Sequence, residues 1–253
     1  MAKSKKVNRN QQNINNIQSQ LPPIQKENDE DILSAIKIKK LDIQFKTKAQ
    51  ENMWDLIENK EIMLCSGPAG TGKSHIAVLK ALDLIKRFPG KYKKIIIAKP
   101  TIESAPSIGY LPGNLDEKLS PSIYSLIYIF KKILGEQKVE RMVERKQIEI
   151  MALGYFRGIN LDSCVFILDE SQNCDKKLIR TVLTRIGDDC KFIIIGDTTQ
   201  VDIPIKIEQT GLYIAMKKLE DIPQIGIFRF ADSDIVRNPI ISIILERLNG
   251  EFQ

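Results

Sequence analysis

The sequence predicts an α/β protein with a parallel sheet of about five strands and helices on both faces. Short apolar runs such as residues 95–98 and 192–195 lack the alternating polar positions of a one-sided sheet, so both of their faces should be buried. Segments with helical spacing separate these runs, as in a sheet whose strands are connected by helices. The 253 residues are 43% hydrophobic and 28% charged, an ordinary globular composition that permits a sizeable core.

Glycine and proline mark the ends of several expected elements. The expected strands are residues 62–65, 95–98, 165–168, 192–195 and 225–230. The expected helices are residues 74–87, 123–134, 176–186, 211–219 and 239–248. Residues 101–120, after the second strand, are rich in loop-forming residues. We therefore expect residues 31–253 to form one domain.

The first 30 residues differ from the rest of the chain. They are rich in Asn, Gln and Lys and include Pro22 and Pro23, so they cannot bury much apolar surface. We expect residues 1–30 to be a disordered tail. The formal net charge is +6, and part of this excess lies in the tail. A mild basic excess permits a polyanionic partner without requiring one.

The composition also limits the cellular compartments and the catalytic mechanisms that are to be expected. No apolar run is long enough to span a bilayer, and no apolar segment follows the basic N-terminal residues. We therefore expect a cytoplasmic protein with no membrane partner. The four cysteines lack CxxC spacing and are expected to be reduced. The only histidine, His75, excludes a mechanism that needs two histidines, and its expected place is in a helix.

A glycine-rich segment lies between the first strand and the first helix. It matches the pattern GxxxxGK[ST] through Gly67, Gly72, Lys73 and Ser74. Glycines let backbone N–H groups surround a phosphate, and the helix N-terminus adds the positive end of its dipole. We expect Lys73 to reach the β- and γ-phosphates and the Ser74 hydroxyl to bind Mg²⁺. The expected nucleotide-binding residues are Gly67, Pro68, Ala69, Gly70, Thr71, Gly72, Lys73 and Ser74.

Two acidic residues end the third strand. Asp169 and Glu170 follow an apolar run about a hundred residues after the glycine-rich segment, which is the Walker B arrangement. Asp169 is expected to hold Mg²⁺, directly or through water. Glu170 is expected to orient and polarise the attacking water. Paired acids at this place favour hydrolysis over simple nucleotide storage.

The fourth strand ends in the polar segment 196–200, GDTTQ. A polar side chain there could sense the γ-phosphate and report its loss. Gln200 is the expected sensor, with Asp197 as the alternative.

Gln50, before the first strand, is a candidate reader of the base. A glutamine amide can pair with both N6 and N7 of adenine, which would favour ATP. A guanine-reading NKxD motif is not found in the sequence. The alternative is that Gln50 is an ordinary glutamine on a surface helix.

An arginine could stabilise charge on the transferring phosphate. Arg237 precedes the expected C-terminal helix and is the first candidate. Arg157 and Arg185 compete for the same role, and Arg237 could equally cap the helix entry.

Together these motifs resemble the PhoH family of P-loop ATPases over about residues 42–248. The resemblance rests on residues 67–74, 98–100, 108–113, 156–158, 167–173, 183–187, 196–200 and 234–239. The segment 109–113, GYLPG, separates this family from other P-loop proteins better than the glycine-rich segment does. Lys99 stands where the family commonly has arginine, and a lysine cannot repeat the bidentate contacts of a guanidinium. Ser171 and Asn238 also depart from the common alanine and histidine.

The resemblance implies a RecA-like P-loop NTPase domain that uses ATP and Mg²⁺. It also implies a central P-loop strand, with the strand that ends at Gly196 beside it. Members of the family have been linked to phosphate starvation and to RNA or single-stranded nucleic acid, and many are phage-encoded. The first expectation is thus an ATPase that acts on, or is regulated by, single-stranded RNA or DNA, as a helicase or translocase would. The loop at 101–118, after the second strand, is the expected place of contact with nucleic acid or with a partner.

Other functions stay open at this point. The rival is an ATP-dependent switch that changes assembly or partner choice. A nuclease or a small kinase ranks lower, because Asp169 and Glu170 already serve nucleotide hydrolysis. Related motors close two RecA-like domains on one ATP, and the second domain supplies an arginine. This chain has room for one, so we expect an arginine in trans and a homo-oligomeric ring such as a hexamer.

Overall fold

The computed structural model of the chain describes residues 43–100, 121–156, 158–197, 200, 202–236 and 247. They belong to one compact unit. The expected tail at 1–30, the loop at 101–120 and, except for Arg247, the helix at 239–248 lie outside the described residues. No helix within the described ranges is both long and apolar enough to cross a membrane.

The described strands form one parallel sheet in the order β3-β2-β4-β5-β1-β6. The strands are β1 Ile62–Ser66, β2 Lys94–Ala98, β3 Ile148–Ile150, β4 Cys164–Leu168, β5 Lys191–Gly196 and β6 Ile225–Arg229. The expected parallel sheet is confirmed, and β3 adds one strand to the five expected. The β3 segment was missed because it has three residues with Glu149 in the middle, too short and too polar to show a strand period.

Six α-helices are described. They are α1 Lys48–Asn59, α2 Lys73–Arg87, α3 Pro121–Leu134, α4 Glu136–Glu144, α5 Lys176–Leu183 and α6 Gly211–Lys218. Helices α1 and α4 were not among the predicted elements. Helix α5 ends three residues before its predicted end because the next residues pair with another segment. Leu161 N–H donates to Arg185 O at 2.8 Å, and Gly187 N–H donates to Leu161 O at 2.9 Å.

Both faces of the sheet are buried. On one face, alternate strand residues such as Phe166 and Phe192 join a core with Ile179 and Val182 of α5 and Leu212 of α6. The intervening residues of β1, β2, β4 and β5 are also buried, and α2 packs on β2, β4 and β5. Because parallel crossovers are right-handed, the opposite directions of the β1-to-β2 and β4-to-β5 steps place α2 and α5 on opposite faces. This confirms that helices cover both sides.

The strand order brings four chain segments to one edge of the sheet. Strand β1 lies between β5 and β6, so the strand ending at Gly196 is beside it as expected. The expectation of a central β1 is wrong for the described sheet, where β1 is one strand from the edge. Since all strands are parallel, the segments after β1, β2, β4 and β5 meet at their carboxyl ends, where α/β folds bind ligands.

Candidate nucleotide-binding site

The P-loop, residues 67–74, leaves β1 and opens α2, and its glycines are required by packing. A Cβ at Gly67 would lie 2.5 Å from Phe230 Cβ, at the end of β6. A Cβ at Gly72 would lie 2.7 Å from Gln50 Nε2, and the φ of Gly72 is +88°. Any other residue at these positions would displace a neighbour or strain the backbone. The loop is therefore held tightly on two sides.

Hydrogen bonds join the loop to itself and to the segment that follows β6. Thr71, which is buried, donates through Oγ1 to Pro68 O at 3.0 Å. Val236 N–H donates to Gly70 O at 2.9 Å. These contacts keep the loop backbone in the curved conformation that a phosphate needs.

Lys73 points into this curve. Its ammonium donates to Gly67 O at 2.5 Å and to Pro68 O at 2.8 Å, and the residue is only 8% exposed. Burial lowers the pKa of Lys73, and the charges of nearby acids oppose that shift. Neutral carbonyls thus hold a buried cation that phosphate oxygens could take over.

Ser74 and Asp169 meet although they are 95 residues apart in sequence. The Ser74 hydroxyl donates to Asp169 Oδ2 at 3.2 Å. Asp169 is buried, and burial raises its pKa, opposed first by the positive charge of Lys99. A hydroxyl and a carboxylate beside a phosphate-binding loop are the oxygen donors that Mg²⁺ takes in nucleotide sites. The residues present therefore fit a nucleoside triphosphate with Mg²⁺.

Glu170 is held in an unusual conformation. Its φ is +53°, in the left-handed region that non-glycine residues rarely occupy. Gln172 Nε2 donates to Glu170 Oε2 at 2.8 Å, and the Glu170 side chain is still 46% exposed. Such strain is typical of residues whose side chains must point into a site. The carboxylate is thus oriented and reachable by solvent.

Lys99 connects the two acids with helix α3. It lies buried after β2, with its ammonium 3.4 Å from Glu170 Oε1 and 3.9 Å from Asp169 Oδ2. The same ammonium donates to Ser125 Oγ of α3 at 3.3 Å. In the sequence, Lys99 stood out only as a departure from a family arginine.

Gln172 connects the acids with the end of β5. It belongs to a short 3₁₀ helix, Ser171–Asn173, and is almost completely buried. Its Oε1 accepts from Asp197 N–H at 2.8 Å, while its Nε2 binds Glu170. A Cβ at Gly196 would lie 2.7 Å from Gln172 Oε1. This role could not be predicted from sequence, because Gln172 joins Glu170 to a residue 25 positions further along the chain.

The same 3₁₀ helix also binds Asp202, two residues after the expected sensor segment. Asn173 and Asp202 exchange two hydrogen bonds, Asn173 Nδ2 to Asp202 Oδ2 at 2.8 Å and Asp202 N–H to Asn173 Oδ1 at 2.9 Å. Gln200 N–H donates to Asp197 O at 3.1 Å. The Gln200 side chain is exposed and Asp197 is buried. The choice between them as sensor stays a prediction.

Gln50 contacts the P-loop. It is buried at the start of α1, so the interpretation as a surface glutamine is wrong. Its Nε2 donates to Thr71 O at 2.9 Å, and its Oε1 accepts from Lys46 N–H at 2.9 Å. A carboxamide has two N–H donors and two acceptor lone pairs, so each side retains capacity for a base edge. Reading of adenine by Gln50 stays a prediction.

Of the three candidate arginines, one lies among the residues that the structure describes. Arg157 and Arg237 lie outside the described residues. Arg185 lies near the amino-terminal ends of β4 and β5, whereas the P-loop follows the carboxyl end of β1. In its own subunit Arg185 is therefore at the wrong edge of the sheet.

Fold and site together define a class. A glycine-rich loop joins β1 to α2, an acid-ended β4 lies two strands away, and β5 with its polar end is inserted between them. This arrangement in a parallel sheet is that of a RecA-like P-loop NTPase.

The chain belongs to the PhoH-like protein family, whose model matches residues 42–249. It is 39% identical over 204 residues to a PhoH-like protein of Bacillus subtilis (strain 168), covering 81% of this chain and 63% of that protein. It is 30% identical over 197 residues to Protein PhoH of Escherichia coli (strain K12), covering 77% of this chain and 55% of that protein. The chain thus spans less than two thirds of these relatives.

Among solved structures, Pif1 helicase from Candida albicans is similar with a TM-score of 0.40 and 17% identity. That match covers 82% of this chain and 44% of the helicase. A similarity this weak carries no argument about function.

Proposed function

We propose that this chain binds ATP with Mg²⁺ and hydrolyses it to ADP and phosphate. One observation carries the proposal: the hydroxyl of Ser74, the last residue of the P-loop, donates at 3.2 Å to the carboxylate of Asp169, which is 95 residues away in sequence. A phosphate-binding loop without an acid facing it would hold a nucleotide but would offer little toward hydrolysis.

The chain's own residues divide the work. The P-loop backbone and Lys73 bind phosphate oxygens, and the buried ammonium neutralises charge where it develops. Ser74 and Asp169 hold Mg²⁺, which when bound neutralises phosphate charge. Glu170 orients a water molecule, because its carboxylate is fixed by Gln172 and Lys99 and is partly exposed. Residues 31–253 constitute the ATPase domain in this proposal.

We also propose that turnover acts on, or is regulated by, single-stranded RNA or DNA. Family membership and the net charge of +6 support this part. A flat response of turnover to nucleic acid, with ATP-dependent changes in oligomer size, would favour an assembly switch instead.

The arginine that completes the site is proposed to come from a neighbouring copy in a ring. We expect Arg237→Ala to retain ATP binding and to lose most turnover. Mixing it with Lys73→Ala should restore part of the activity, because one mixed interface then has both groups. Unchanged turnover in Arg237→Ala would contradict the role of Arg237.

The central test is phosphate release by the purified full chain, with and without Mg²⁺. It compares the wild type with Asp169→Asn, at stated salt and with oligonucleotides absent or present. We expect Mg²⁺-dependent turnover that Asp169→Asn lowers at least about a hundredfold. Equal rates in the two proteins would reject hydrolysis at this site.

A further inference from the structure

Two exposed tyrosines lie side by side on helix α3. Tyr124 and Tyr128 are 50% and 56% exposed. Their ring centroids are 6.3 Å apart and their planes differ by 26°, so the rings are stacked. Neighbouring exposed aromatic rings form an apolar patch of the kind that marks binding surfaces.

The charge of this helix is suited to a polyanion. Residues 121–134 include Lys131 and Lys132 and no acidic residue. The Lys131 ammonium is paired with Glu136 Oε1 at 2.8 Å, so its charge is already balanced. Lys132 is exposed and lies one turn beyond Tyr128 on the same side of the helix. Burial, then the charges of Lys132 and Lys46, lower the pKa of His75 at the start of α2. The charge of Lys132 therefore reaches His75, the residue that follows the P-loop.

We propose that Tyr124, Tyr128 and Lys132, here called the tyrosine stripe, bind a single-stranded nucleic acid. Bases stack on the two rings, and the Lys132 ammonium contacts the phosphate backbone. Every base has a flat face, so an aromatic pair beside a cation binds single strands with little sequence preference. The inference rests on the proposed function and locates where its nucleic acid binds.

The stripe is connected to the nucleotide site by one lysine. Ser125, next to Tyr124, accepts from Lys99 Nζ at 3.3 Å, and the same ammonium lies 3.4 Å from Glu170 Oε1. A strand that binds α3 and shifts Ser125 changes the position of Lys99. The carboxylate that orients water then changes its surroundings, which provides a route by which nucleic acid alters turnover.

The binding test uses fluorescein-labelled oligothymidylate and oligouridylate of about twelve residues, a length within the usual site size. A charge-matched abasic oligomer of equal length is the comparison. We expect the wild type to bind the base-containing strands at least about tenfold more tightly than the abasic one. The double variant Tyr124→Ala/Tyr128→Ala should lose this preference, and Tyr124→Phe/Tyr128→Phe should keep it.

Tyr155→Ala is the matched control. Tyr155 is 65% exposed and lies in the 3₁₀ helix Leu153–Phe156, which packs against α5. Thermal unfolding of each variant monitors folding. Tight base-dependent binding by the double alanine variant would overturn the proposal, as would loss of binding in the phenylalanine variant.

Measurements of ATP turnover distinguish failure of the tyrosine stripe from failure of the proposed function. The readout is the ratio of ATPase rates with and without oligonucleotide. If wild-type turnover responds to nucleic acid and the double alanine variant responds equally, the tyrosine stripe is wrong and the proposed function stands. If the wild type neither binds nor responds, both the stripe and the nucleic-acid part of the proposed function fail. The Ser125→Ala variant should bind the oligonucleotide normally, but its ATPase rate should respond less to the oligonucleotide. An unchanged ratio of the ATPase rates with and without oligonucleotide would overturn the connection through Lys99.

Discussion

Helix α2 carries two buried lysines two turns apart, and they have opposite surroundings. Lys73 is 8% exposed and Lys80 1%, and burial lowers the pKa of both. Lys80 forms an ion pair with Glu58 at 2.5 Å and lies 4.0 Å from the centroid of the Trp54 ring. Lys73 has only carbonyl oxygens at comparable distances, and no carboxylate of the described residues lies within ion-pair distance.

This difference in partners indicates that Lys80 stabilises the fold and that Lys73 is available to bind a ligand. The Glu58 carboxylate accepts hydrogen bonds from both terminal nitrogens of Arg87 and also pairs with Lys80. These interactions lower the pKa of Glu58 to about 2. The charges of Glu58, Lys80, Asp83 and Arg87 thus pair with one another and form an ion cluster between α1 and α2. Lys73 is desolvated without an anion of its own, which favours binding of one.

The largest effect is expected from exchanging each lysine for methionine. Lys73→Met should lower kcat/KM for ATP at least about a thousandfold, roughly 4 kcal/mol in activation free energy. Its unfolding temperature should change little, because the removed charge had no ion-pair partner. Lys80→Met is the matched control, with a lower unfolding temperature and near-normal kcat. Phosphate release and thermal unfolding measure both, and a similar activity loss in the two variants would refute the contrast.

Gly196→Ala should damage stability and activity together. The new Cβ would lie 2.7 Å from Gln172 Oε1, 2.8 Å from Leu212 Cδ2 and 2.9 Å from Gln172 N. Such overpacking costs about 2–3 kcal/mol in the free energy of unfolding. Displacing Gln172 also releases Glu170, so turnover should fall. Denaturant unfolding and ATPase rates test this, with Gly90→Ala, which meets no atom within 4 Å, as the control. Normal stability in Gly196→Ala would contradict the packing argument.

Glu58→Gln should weaken the ion cluster without affecting catalysis. Removing the carboxylate leaves the buried Lys80 without its nearest acid, and because 34% of the Glu58 side chain is exposed we expect a loss of only about 1–2 kcal/mol. The folded pKa of about 2 lies below the ordinary 4.5. The stabilisation is therefore complete above about pH 4.5 and is lost as pH falls toward 2.

Denaturant titrations of wild type and Glu58→Gln across this pH range measure the difference. A difference that does not shrink at acid pH would show that Glu58 acts through packing and not through its charge.

The smallest effect concerns the base. Gln50→Ala removes the amide that contacts Thr71 O, so binding of every nucleotide should weaken slightly. If Gln50 also reads adenine, the preference for ATP over GTP should fall about fivefold, near 1 kcal/mol. Competition with a fluorescent nucleotide measures both affinities. An equal loss for ATP and GTP would leave Gln50 as a support of the P-loop alone.

The comparison also bears on what could be predicted from sequence. The P-loop could be located because its requirement is local: residues 67–74 must curve around a phosphate, and glycines at fixed spacing permit that backbone. The apolar strands could be recognised because both faces are buried, which removes polar alternation. Helix α1, helix α4 and strand β3 were not predicted. Their segments are short or polar, and their structure depends on packing against neighbouring elements.

The phosphate-binding loop, the acids at Asp169 and Glu170 and the parallel α/β class could all be predicted from sequence alone. The partners of the remaining polar residues became known only from the folded structure. Lys73 and Lys80 are both lysines in one helix, and their difference lies in Glu58 and Trp54, which come from another helix. Gln172 and Lys99 likewise acquire their roles from partners 25 and 71 residues away. The conformation of a backbone segment depends on its own residues, whereas the partners of a buried polar side chain depend on the fold.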